Sequence, residues 1–577
     1  EVTITAESNE LISFEEHTRK VSAASTGEKE TVLTFTSGEK TGVAKLNITA
    51  TAGGETATYK MELDVRSPNP PETRSELKIV REGEKWQTQF NPFGIEGSNS
   101  AKLEISSLPS INLEKRLDYL LEYPHGCTEQ ITSMAFPQLF IRELKKDDEA
   151  LVKEVPVHIR EAVNVLASRQ MSNGGITLWP GGPQPDNWVT SYAGHFIIEA
   201  EKLGYNITSG LKRKWINYQT RLARDWKYDQ GFRYSQNDQA YRLFTLALAG
   251  EPEKGAMNRL RESKDLPQLS RWLLAAAFAT IGRPEAANGL LDMRNTKTET
   301  EYQNYYYGSE IRDKAIILYT LTLLKSEEQA LPLLKDICEK FNNNDWYSTQ
   351  SISWGLMSYL KWAQLLPDDG APGKVSITVN GANSVYTVAS KQVVTIEPKI
   401  KPGANSIMVE NSSSKPLYVT VTRKGIPLLS DKSFESKGLN MEISYYGMDL
   451  KPLNHLELTQ GTDFMATVRV TNTTFSSVQN IALTQMVPSG WEIRNTRLFE
   501  ANFGIKEGAY DYRDFRDDRV NTYFSLGQGE SKTFVLILNA AYTGEFYQPS
   551  VFCEAMYTPN CYARVAGNKV KVIPAGN

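Results

Sequence analysis

The chain has 577 residues and a formal net charge of -4 at pH 7, with 64 basic and 68 acidic residues interspersed along its length. This length exceeds one hydrophobic core and predicts roughly three to five domains, while the balanced charge offers no basic stripe of the kind that binds nucleic acid. The longest apolar run, WLLAAAFATI, is about half of what would span a bilayer, so no transmembrane helix is predicted.

The first residues, EVTITAESNE, contain neither an initiator methionine nor a charged-then-apolar leader. We therefore expect a fragment of a larger protein, whose signal or anchor lies upstream or has been removed.

Residues 1 to about 110 predict β-structure. Short alternating runs rich in Thr, Val and Gly, such as TVLTFTSG and YKMELDVRS, are typical of strands joined by tight turns. The prolines of RSPNPPETRS, residues 66–75, predict a domain boundary because proline stops a strand. We expect a β-sandwich before this boundary and a few more strands after it.

From about 112 to 365 the hydrophobic period becomes helical. Apolar residues at i, i+3, i+4 and i+7 recur in RLDYLLEY, HIREAVNVLASRQ, YAGHFIIEAEKLG, AYRLFTLALAG, RWLLAAAFATIG and KAIILYTLTLLK. Roughly ten or more helices in a row predict either a solenoid or a closed ring of helical hairpins. We favour the closed ring, an α/α toroid.

Alternation returns after LLPDDGAPGK, residues 365–374, in VSITVNG, FMATVRVTN and KTFVLILNA. The lengths fit a small β unit to about 425 and a larger β-sandwich from there to the last residue. If the strands on either side of the helical block belong to one domain, the block is an insertion into that domain.

Four cysteines are too few for a disulfide scaffold, and their spacings match no zinc site. Cys553 and Cys561 flank EAMYTPN, which could be a strand, a turn and a strand, so a disulfide between them is one alternative. Cys338 lies on the apolar face of a helical pattern and is expected in the core.

The fourth cysteine stands three residues before a glutamine in EYPHGCTEQI, residues 122–131. Because residues at i and i+3 share one helical face, Cys127 can attack the Gln130 carboxamide, release ammonia and form a cyclic internal thioester. An acyl thioester is an activated electrophile, so Gln130 becomes an acyl donor. Gly126 permits a backbone geometry that a Cβ would obstruct, and Pro124 limits the entry to the turn.

A thioester open to water would hydrolyse, so it requires a wall of apolar and aromatic side chains. Tyr123 and Trp179 are candidates for this shield. Glu129 could shuttle a proton during thioester formation or attack, and a plain solvated carboxylate is the alternative. The alternative for Cys127 is an ordinary buried thiol at the start of a helix.

The longer segment RLDYLLEYPHGCTEQITSMAFPQLF resembles the thioester segment of the alpha-2-macroglobulin family, in particular its bacterial branch, where Tyr-Pro-x-Gly-Cys-x-Glu-Gln is characteristic. Three other stretches look like that branch: GGITLWPGGPQPDNWVTSYAGHFIIEA, WYSTQSISWGLMSYL and CEAMYTPNCYARVAGNKVKV. The resemblance covers at least residues 60–577.

This resemblance implies a multidomain α and β fold, in which β-sandwich domains flank an α/α toroid that carries the thioester. The implied domains are a macroglobulin-like β-sandwich over 1–66, a discontinuous CUB-like β domain over 67–110 and 366–425, the toroid over 111–365, and a C-terminal macroglobulin-like, receptor-binding-like β-sandwich over 426–577.

The resemblance also implies a broad-range proteinase inhibitor that uses its thioester once and is not a turnover enzyme. In this family a bait segment is cut, and a conformational change exposes the thioester to nucleophiles on the attacking proteinase. No bait region is visible here, so we expect the C-terminal portion of such a protein.

Several properties follow from the same resemblance. The implied location is the bacterial periplasm or cell envelope, after export, with a role in bacterial defence. Proteinases of a host or competitor are the implied partners, and a protein of peptidoglycan synthesis is a second candidate. No cofactor or metal is expected beyond the internal thioester cross-link, and membrane contact is expected only through an anchor outside this chain.

In complement relatives, a histidine downstream of the cysteine converts the thioester to an acyl-imidazole that prefers hydroxyl groups. The comparable stretch here, NDQAYRLFTLALAG, contains no histidine. The resemblance therefore implies amine nucleophiles, such as lysine, as the targets.

Four further residues have two interpretations each. His125 and His195 could act as accessory bases or could only orient neighbouring groups. Met556 and Tyr557 lie in a segment that covers the thioester in bacterial members, but an apolar pair is also what a sandwich strand buries.

Three other classes of protein remain as alternatives. An α/α toroid also hosts enzymes that cleave polysaccharides or cyclise terpenoids, although no acidic cluster stands out in the helical block. A cysteine hydrolase using Cys127 and His195 would leave Gln130 without a purpose. A structural or adhesive protein on the same scaffold would not need both Cys127 and Gln130.

Overall fold

The computed structural model describes the whole chain except residues 23–27, 39, 68, 70, 124, 143, 146–147, 230–234, 293–294, 300–306, 344, 367–372, 428–433, 495–504 and 576–577. Pro124 and most of the predicted boundary at 365–374 therefore lie outside the described residues.

The N-terminal unit is entirely β-structure. Its strands are β1 (Val2–Ser8), β2 (Ile12–Phe14), β3 (Thr18–Val21), β4 (Phe35–Ser37), β5 (Gly42–Ala52) and β6 (Glu55–Val65). Four of them form an antiparallel sheet in the order β3-β1-β5-β6, and β2 pairs with β4. Alternate residues of β5, Ala44 and Leu46, face a small core that includes Phe14.

The next β unit joins strands from both sides of the helical block. The preceding strands are β7 (Glu72–Val80), β8 (Lys85–Phe90) and β9 (Ser100–Ser106), and the following ones are β10 (Gly373–Val379), β11 (Ala382–Val388), β12 (Val393–Ile396), β13 (Asn405–Asn411) and β14 (Leu417–Gly425). They form two four-stranded sheets in the orders β11-β10-β13-β8 and β12-β9-β14-β7. The chain thus leaves this sandwich after β9 and returns to it at β10, while the domain boundaries given above stay predictions.

Thirteen helices are described between these strands. They are α1 (Leu113–Glu122), α2 (Thr128–Ala135), α3 (Gln138–Ile141), α4 (Glu149–Ser168), α5 (Asn187–Lys202), α6 (Leu211–Asp225), α7 (Ser235–Leu248), α8 (Lys254–Arg261), α9 (Gln268–Thr280), α10 (Pro284–Asn288), α11 (Glu310–Leu323), α12 (Glu327–Asn342) and α13 (Thr349–Leu365).

The inner helices form a closed ring. Helices α2, α5, α7, α9, α11 and α13 pack against one another in succession, and α13 packs back against α2. Inner helices such as α5 and α7 are buried around most of their circumference, whereas outer helices such as α6 and α12 bury one apolar face. Because an outer helix returns the chain after each inner one, the inner helices run in the same direction and their N-termini meet at one end. The predicted closed ring is therefore what forms.

The C-terminal part is a β-sandwich. Its strands are β15 (Glu435–Lys437), β16 (Leu439–Gly447), β17 (Glu457–Thr459), β18 (Asp463–Asn472), β19 (Val478–Met486), β20 (Trp491–Arg494), β21 (Tyr512–Phe515), β22 (Arg519–Leu526), β23 (Ser531–Ala540), β24 (Gly544–Gln548), β25 (Val551–Ala555), β26 (Tyr562–Val565) and β27 (Asn568–Ile573). The sheets have the orders β15-β26-β25-β19-β22-β21, β16-β18-β23-β20 and β17-β27-β24.

The toroid core continues into this sandwich. Ala482, Tyr523, Met556 and Tyr557, all from sandwich segments, are buried in the same apolar cluster as the inner helices. The N-terminal end of the helix ring is therefore covered by the C-terminal sandwich. Within the described part of the chain, no helix has the length and hydrophobicity needed to cross a membrane.

Candidate functional site

The predicted cysteine and glutamine lie at the start of α2, in the first turn. Cys127 is the N-cap residue, and its side chain accepts a hydrogen bond from the Gln130 backbone N–H. In return, the Gln130 side chain accepts a hydrogen bond from the Cys127 backbone N–H, which completes a capping box. This reciprocal arrangement holds the thiol and the carboxamide side by side across one helical turn.

Two backbone N–H groups hold the Gln130 carboxamide oxygen. Gly126 N and Cys127 N donate to Oε1 at 2.8 and 2.9 Å. The carboxamide nitrogen points the other way and lies 3.2 Å from Met556 Sδ.

Cys127 is sealed from solvent, with 1% of its surface exposed. Its Sγ lies 3.5 Å from the Tyr557 hydroxyl. Burial, reinforced by the nearby Glu129 carboxyl, raises the pKa of the Cys127 thiol to about 12. The thiol therefore needs a proton acceptor before it can attack a carbonyl.

Glu129 is fully buried, so its interpretation as a solvated carboxylate is wrong. Its Oε1 accepts from Ser133 Oγ at 2.5 Å, and its Oε2 accepts from Thr349 Oγ1 at 2.8 Å and from the Tyr557 hydroxyl at 2.5 Å. Burial raises the pKa of Glu129, and these three donors oppose the rise.

The Tyr557 hydroxyl contacts both Cys127 and Glu129. Because its single hydroxyl proton is donated to Glu129, its oxygen can only accept from the Cys127 thiol. Its ring also packs edge-on against Tyr307, with 4.8 Å between centroids. The Tyr307 hydroxyl in turn donates to Asp186 Oδ2 at 2.8 Å, at the N-cap of α5.

Trp179 lies where the toroid meets the sandwich. Its ring stacks on Tyr512 at 5.1 Å and packs on Tyr523 at 4.1 Å. Tyr123 is within 5.4 Å of the Tyr119 ring and 5.2 Å of the His125 ring, measured between centroids. Of the four residues predicted as a shield, Met556 and Tyr557 of the sandwich contact Gln130 and Cys127 directly. Tyr123 and Trp179 of the toroid contact neighbouring aromatic rings, and their role as a shield stays a prediction.

The two histidines occupy different places. His125 Nδ1 lies 3.1 Å from the Tyr523 hydroxyl, and its Nε2 lies 3.6 Å from Glu554 Oε1, so it bridges the toroid to the sandwich. His195 is buried inside the ring, where its Nδ1 contacts the Tyr241 hydroxyl at 3.2 Å. Burial lowers the pKa of His195 to about 3. In the described part of the chain, neither histidine has a hydrogen bond to Cys127.

Several residues of the site have no signal in the sequence. Arg169, at the end of α4, donates to Gly126 O at 2.9 Å and to Thr128 Oγ1 at 3.0 Å. Tyr307 belongs to NYYYGS, which has the character of an aromatic loop edge, and Asp186 follows a proline-rich turn. Neither spacing nor periodicity links these residues to residue 127, because they come near it only through tertiary packing. Arg169 does so through the packing of α4 on α2, and Tyr307 through its ring contact with Tyr557.

Cys338, Cys553 and Cys561 are buried free thiols, so the suggested bridge between the last two is not formed. Among the described residues, no group of three or more His, Cys, Asp or Glu side chains could hold a metal ion.

Comparison with known proteins identifies relatives. Residues 438–560 match the family model of the bacterial alpha-2-macroglobulin MG10 domain. The chain is 23% identical over 589 residues to an alpha-2-macroglobulin homolog of Yersinia pestis, covering 95% of this chain and 29% of that protein. It is 24% identical over 557 residues to the alpha-2-macroglobulin of Escherichia coli, covering 89% of this chain and 32% of that protein. The chain thus spans about a third of the length of these relatives.

Solved structures show the same fold. The chain superposes on Salmonella alpha-2-macroglobulin reacted with methylamine with a TM-score of 0.83 at 20% identity, over 99% of this chain and 38% of that one. It superposes on native E. coli alpha-2-macroglobulin from domain MG7 to the C-terminus with a TM-score of 0.79 at 21% identity, over 99% of this chain and 94% of that one. The predicted fold class and the resemblance to the C-terminal portion of bacterial alpha-2-macroglobulins are confirmed.

Proposed function

Starting from this similarity to bacterial alpha-2-macroglobulins, we propose that the chain is the thioester-bearing C-terminal portion of a broad-range proteinase inhibitor. In this proposal Cys127 and Gln130 form an internal thioester, which transfers the Gln130 acyl group to an amine of an attacking proteinase. The bond is consumed in the transfer, so the protein acts once and does not turn over.

The reciprocal capping of Cys127 and Gln130 carries this proposal. It brings a nucleophile and an acyl group together with both orientations fixed, which removes most of the entropic cost of the reaction. A cysteine hydrolase would instead require a histidine on the thiol, and the described histidines bond elsewhere.

Glu129 is the proton acceptor in this scheme. The Cys127 proton passes to the Tyr557 oxygen while the Tyr557 proton passes to Glu129. Sγ then attacks the Gln130 carbonyl carbon, and the proton held by Glu129 can leave with the nitrogen as ammonia. The raised pKa of Glu129 suits this role, because a carboxylate of higher pKa is a stronger base.

The shield explains why the bond would survive in water. Met556 covers the carboxamide nitrogen and Tyr557 covers the sulfur, and both belong to the C-terminal sandwich. A lysine on the surface of an attacking proteinase therefore reaches the carbonyl only when this sandwich moves. We propose that cleavage of an upstream bait segment drives that movement.

The intact mass of the purified chain, with and without methylamine, tests the proposal alongside a thiol titration. We expect a mass short by one ammonia, which gains one methylamine and exposes one thiol on reaction. Cys127→Ala should abolish these changes, whereas Cys338→Ala, which removes another buried thiol of the toroid, should leave them intact. A full sequence mass together with Gln, not Glu, at position 130 would refute the thioester.

We further propose that the protein is exported to the periplasm or cell envelope, where its partners are proteinases. A partner in peptidoglycan synthesis is a second candidate. Cross-linking to a lysine-bearing proteinase, followed by mass spectrometry, should place the new amide at Gln130, and adducts to serine or threonine hydroxyls should be rare.

A further inference from the structure

The Gln130 carboxamide oxygen accepts one more hydrogen bond than the capping box requires. Two backbone N–H groups converge on Oε1 at 2.8 and 2.9 Å, from Gly126 and Cys127. These distances fall in the range of about 2.7 to 3.1 Å that is typical of donors that stabilise an oxyanion. Gly126 makes the arrangement possible, because its φ of 84° turns two successive N–H groups to the same side.

Negative charge develops on this oxygen during acyl transfer. When an amine attacks the thioester, its lone pair forms the C–N bond and the C=O electron pair moves to Oε1. The intermediate then collapses, the C–S bond breaks with its electron pair on Cys127 Sγ, and the amine proton ends on that sulfur. Donors already fixed at Oε1 stabilise the intermediate more than the neutral acyl group.

Arg169 controls one of these donors. Its Nη2 donates to Gly126 O at 2.9 Å, and this carbonyl shares a peptide unit with the Cys127 N–H. A charged donor on the carbonyl polarises the peptide and strengthens the N–H on its other side. Nη1 donates to Thr128 Oγ1 at 3.0 Å and lies 3.5 Å from Leu178 O, which fixes the direction of the guanidinium.

We infer that the N–H groups of Gly126 and Cys127 form an oxyanion site for acyl transfer from Gln130, and that Arg169 is the positioning residue that orients and polarises it. This inference rests on the proposed thioester function. Arg169 touches neither the acyl group nor the sulfur, so its effect passes through the peptide between residues 126 and 127.

The test uses the full chain labelled with ¹³C at the glutamine side-chain carbonyl. Isotope-edited infrared spectroscopy measures the thioester carbonyl stretch, which falls in frequency when the oxygen accepts hydrogen bonds. The rate of methylamine incorporation is measured on the same samples. Wild type should show a frequency below that of a small thioester in an apolar solvent.

Arg169→Met should raise the carbonyl frequency and slow methylamine incorporation by about tenfold or more, since loss of a whole oxyanion donor costs about 100- to 1,000-fold. Arg169→Lys keeps a charged donor, so its carbonyl frequency and its methylamine rate should lie between those of Arg169→Met and those of the wild type. Arg116→Met is the matched control, because Arg116 is buried and likewise binds backbone carbonyls, those of Phe341 and Asn343. It should leave the frequency and the rate unchanged.

The outcomes separate this inference from the proposed function. A wild-type chain without a thioester would defeat the proposed function itself. A wild-type thioester with the frequency of an unbonded carbonyl would overturn the oxyanion site, even if Arg169→Met fails to fold. A folded Arg169→Met variant with the wild-type carbonyl frequency and methylamine rate would show that Arg169 has only a structural role.

Discussion

At the scale of single residues, the backbone conformation of Gly126 supports the proposed reaction. Its φ of 84° is accessible to glycine without strain, whereas other residues pay about 1 kcal/mol or more there. A Cβ at this position would meet no atom within 4 Å, so the constraint is conformational and not steric crowding by neighbours.

Gly126→Ala should lower the thioester content, measured as the fraction of chains whose intact mass is short by one ammonia. Alanine at this position would relieve the strain of a positive φ by a backbone change that moves the N–H of residue 126 away from Gln130 Oε1. Gly204→Ala is the matched control, since Gly204 has the same φ of 84° and a Cβ there would likewise meet no atom within 4 Å. Intact mass measures both. Equal thioester content in the two variants would show that the turn conformation is dispensable.

His195 should make the fold sensitive to acid. Its folded pKa of about 3 lies below the unfolded value near 6.5, so the unfolded chain binds more protons between these limits. The free energy of unfolding therefore decreases as the pH falls from about 6.5 to about 3. At pH 4 this histidine lowers it by about 3 kcal/mol relative to neutral pH. Urea denaturation at pH 4 and pH 7 measures this difference, and His195→Phe should make it smaller by about 3 kcal/mol. An unchanged difference between the two pH values would show that His195 does not cause the acid sensitivity.

At the scale of elements, a buried ionic cluster fixes the start of the helical block on the preceding sandwich. Lys145, after α3, forms ion pairs with Glu104 of β9 and Glu114 of α1. Both carboxylates are about 5% exposed or less. Lys102 adds a contact to Glu114 at 3.0 Å. The cluster joins β9, α1 and the segment after α3.

Lys145→Met should destabilise the chain by about 3 to 5 kcal/mol, because it leaves buried carboxylates without their main counter-charge. Adding Glu114→Gln should recover part of the loss. Lys314→Met serves as control: its partners Glu310 and Asp336 are 49% and 35% exposed, so we expect less than about 1 kcal/mol. Thermal unfolding measures all three, and equal losses for the two lysines would refute a special role for the cluster.

At the scale of the whole molecule, the contact between toroid and sandwich covers Cys127 and Gln130. Met556 and Tyr557 follow β25, more than 400 positions from the residues they cover. Trp179, Tyr512 and Tyr523 continue the same contact as a stack of aromatic rings. Displacement of the sandwich would uncover the Cys127 sulfur, the Gln130 carbonyl and the Glu129 carboxyl together.

Met556→Ala should accelerate methylamine incorporation at least several-fold, because it opens the space beside the Gln130 nitrogen while the rest of the interface stays in place. Met441→Ala is the control, since Met441 is also 2% exposed but lies in the core of the sandwich itself. If both variants react at the same rate, general loosening of the sandwich explains the effect and Met556 is not a specific barrier.

The sequence by itself determined the order of β and α segments and the closeness of Cys127 to Gln130, because hydrophobic period and i, i+3 spacing are local properties of the chain. Only the tertiary structure decided what surrounds that pair. Thr349 reaches Glu129 because the ring closes where α13 packs on α2, and Arg169 reaches Gly126 because α4 packs on α2. Tyr557 reaches Cys127 and Glu129 because the sandwich docks on the ring. Contacts between residues so far apart depend on how whole surfaces pack, and no local pattern encodes them.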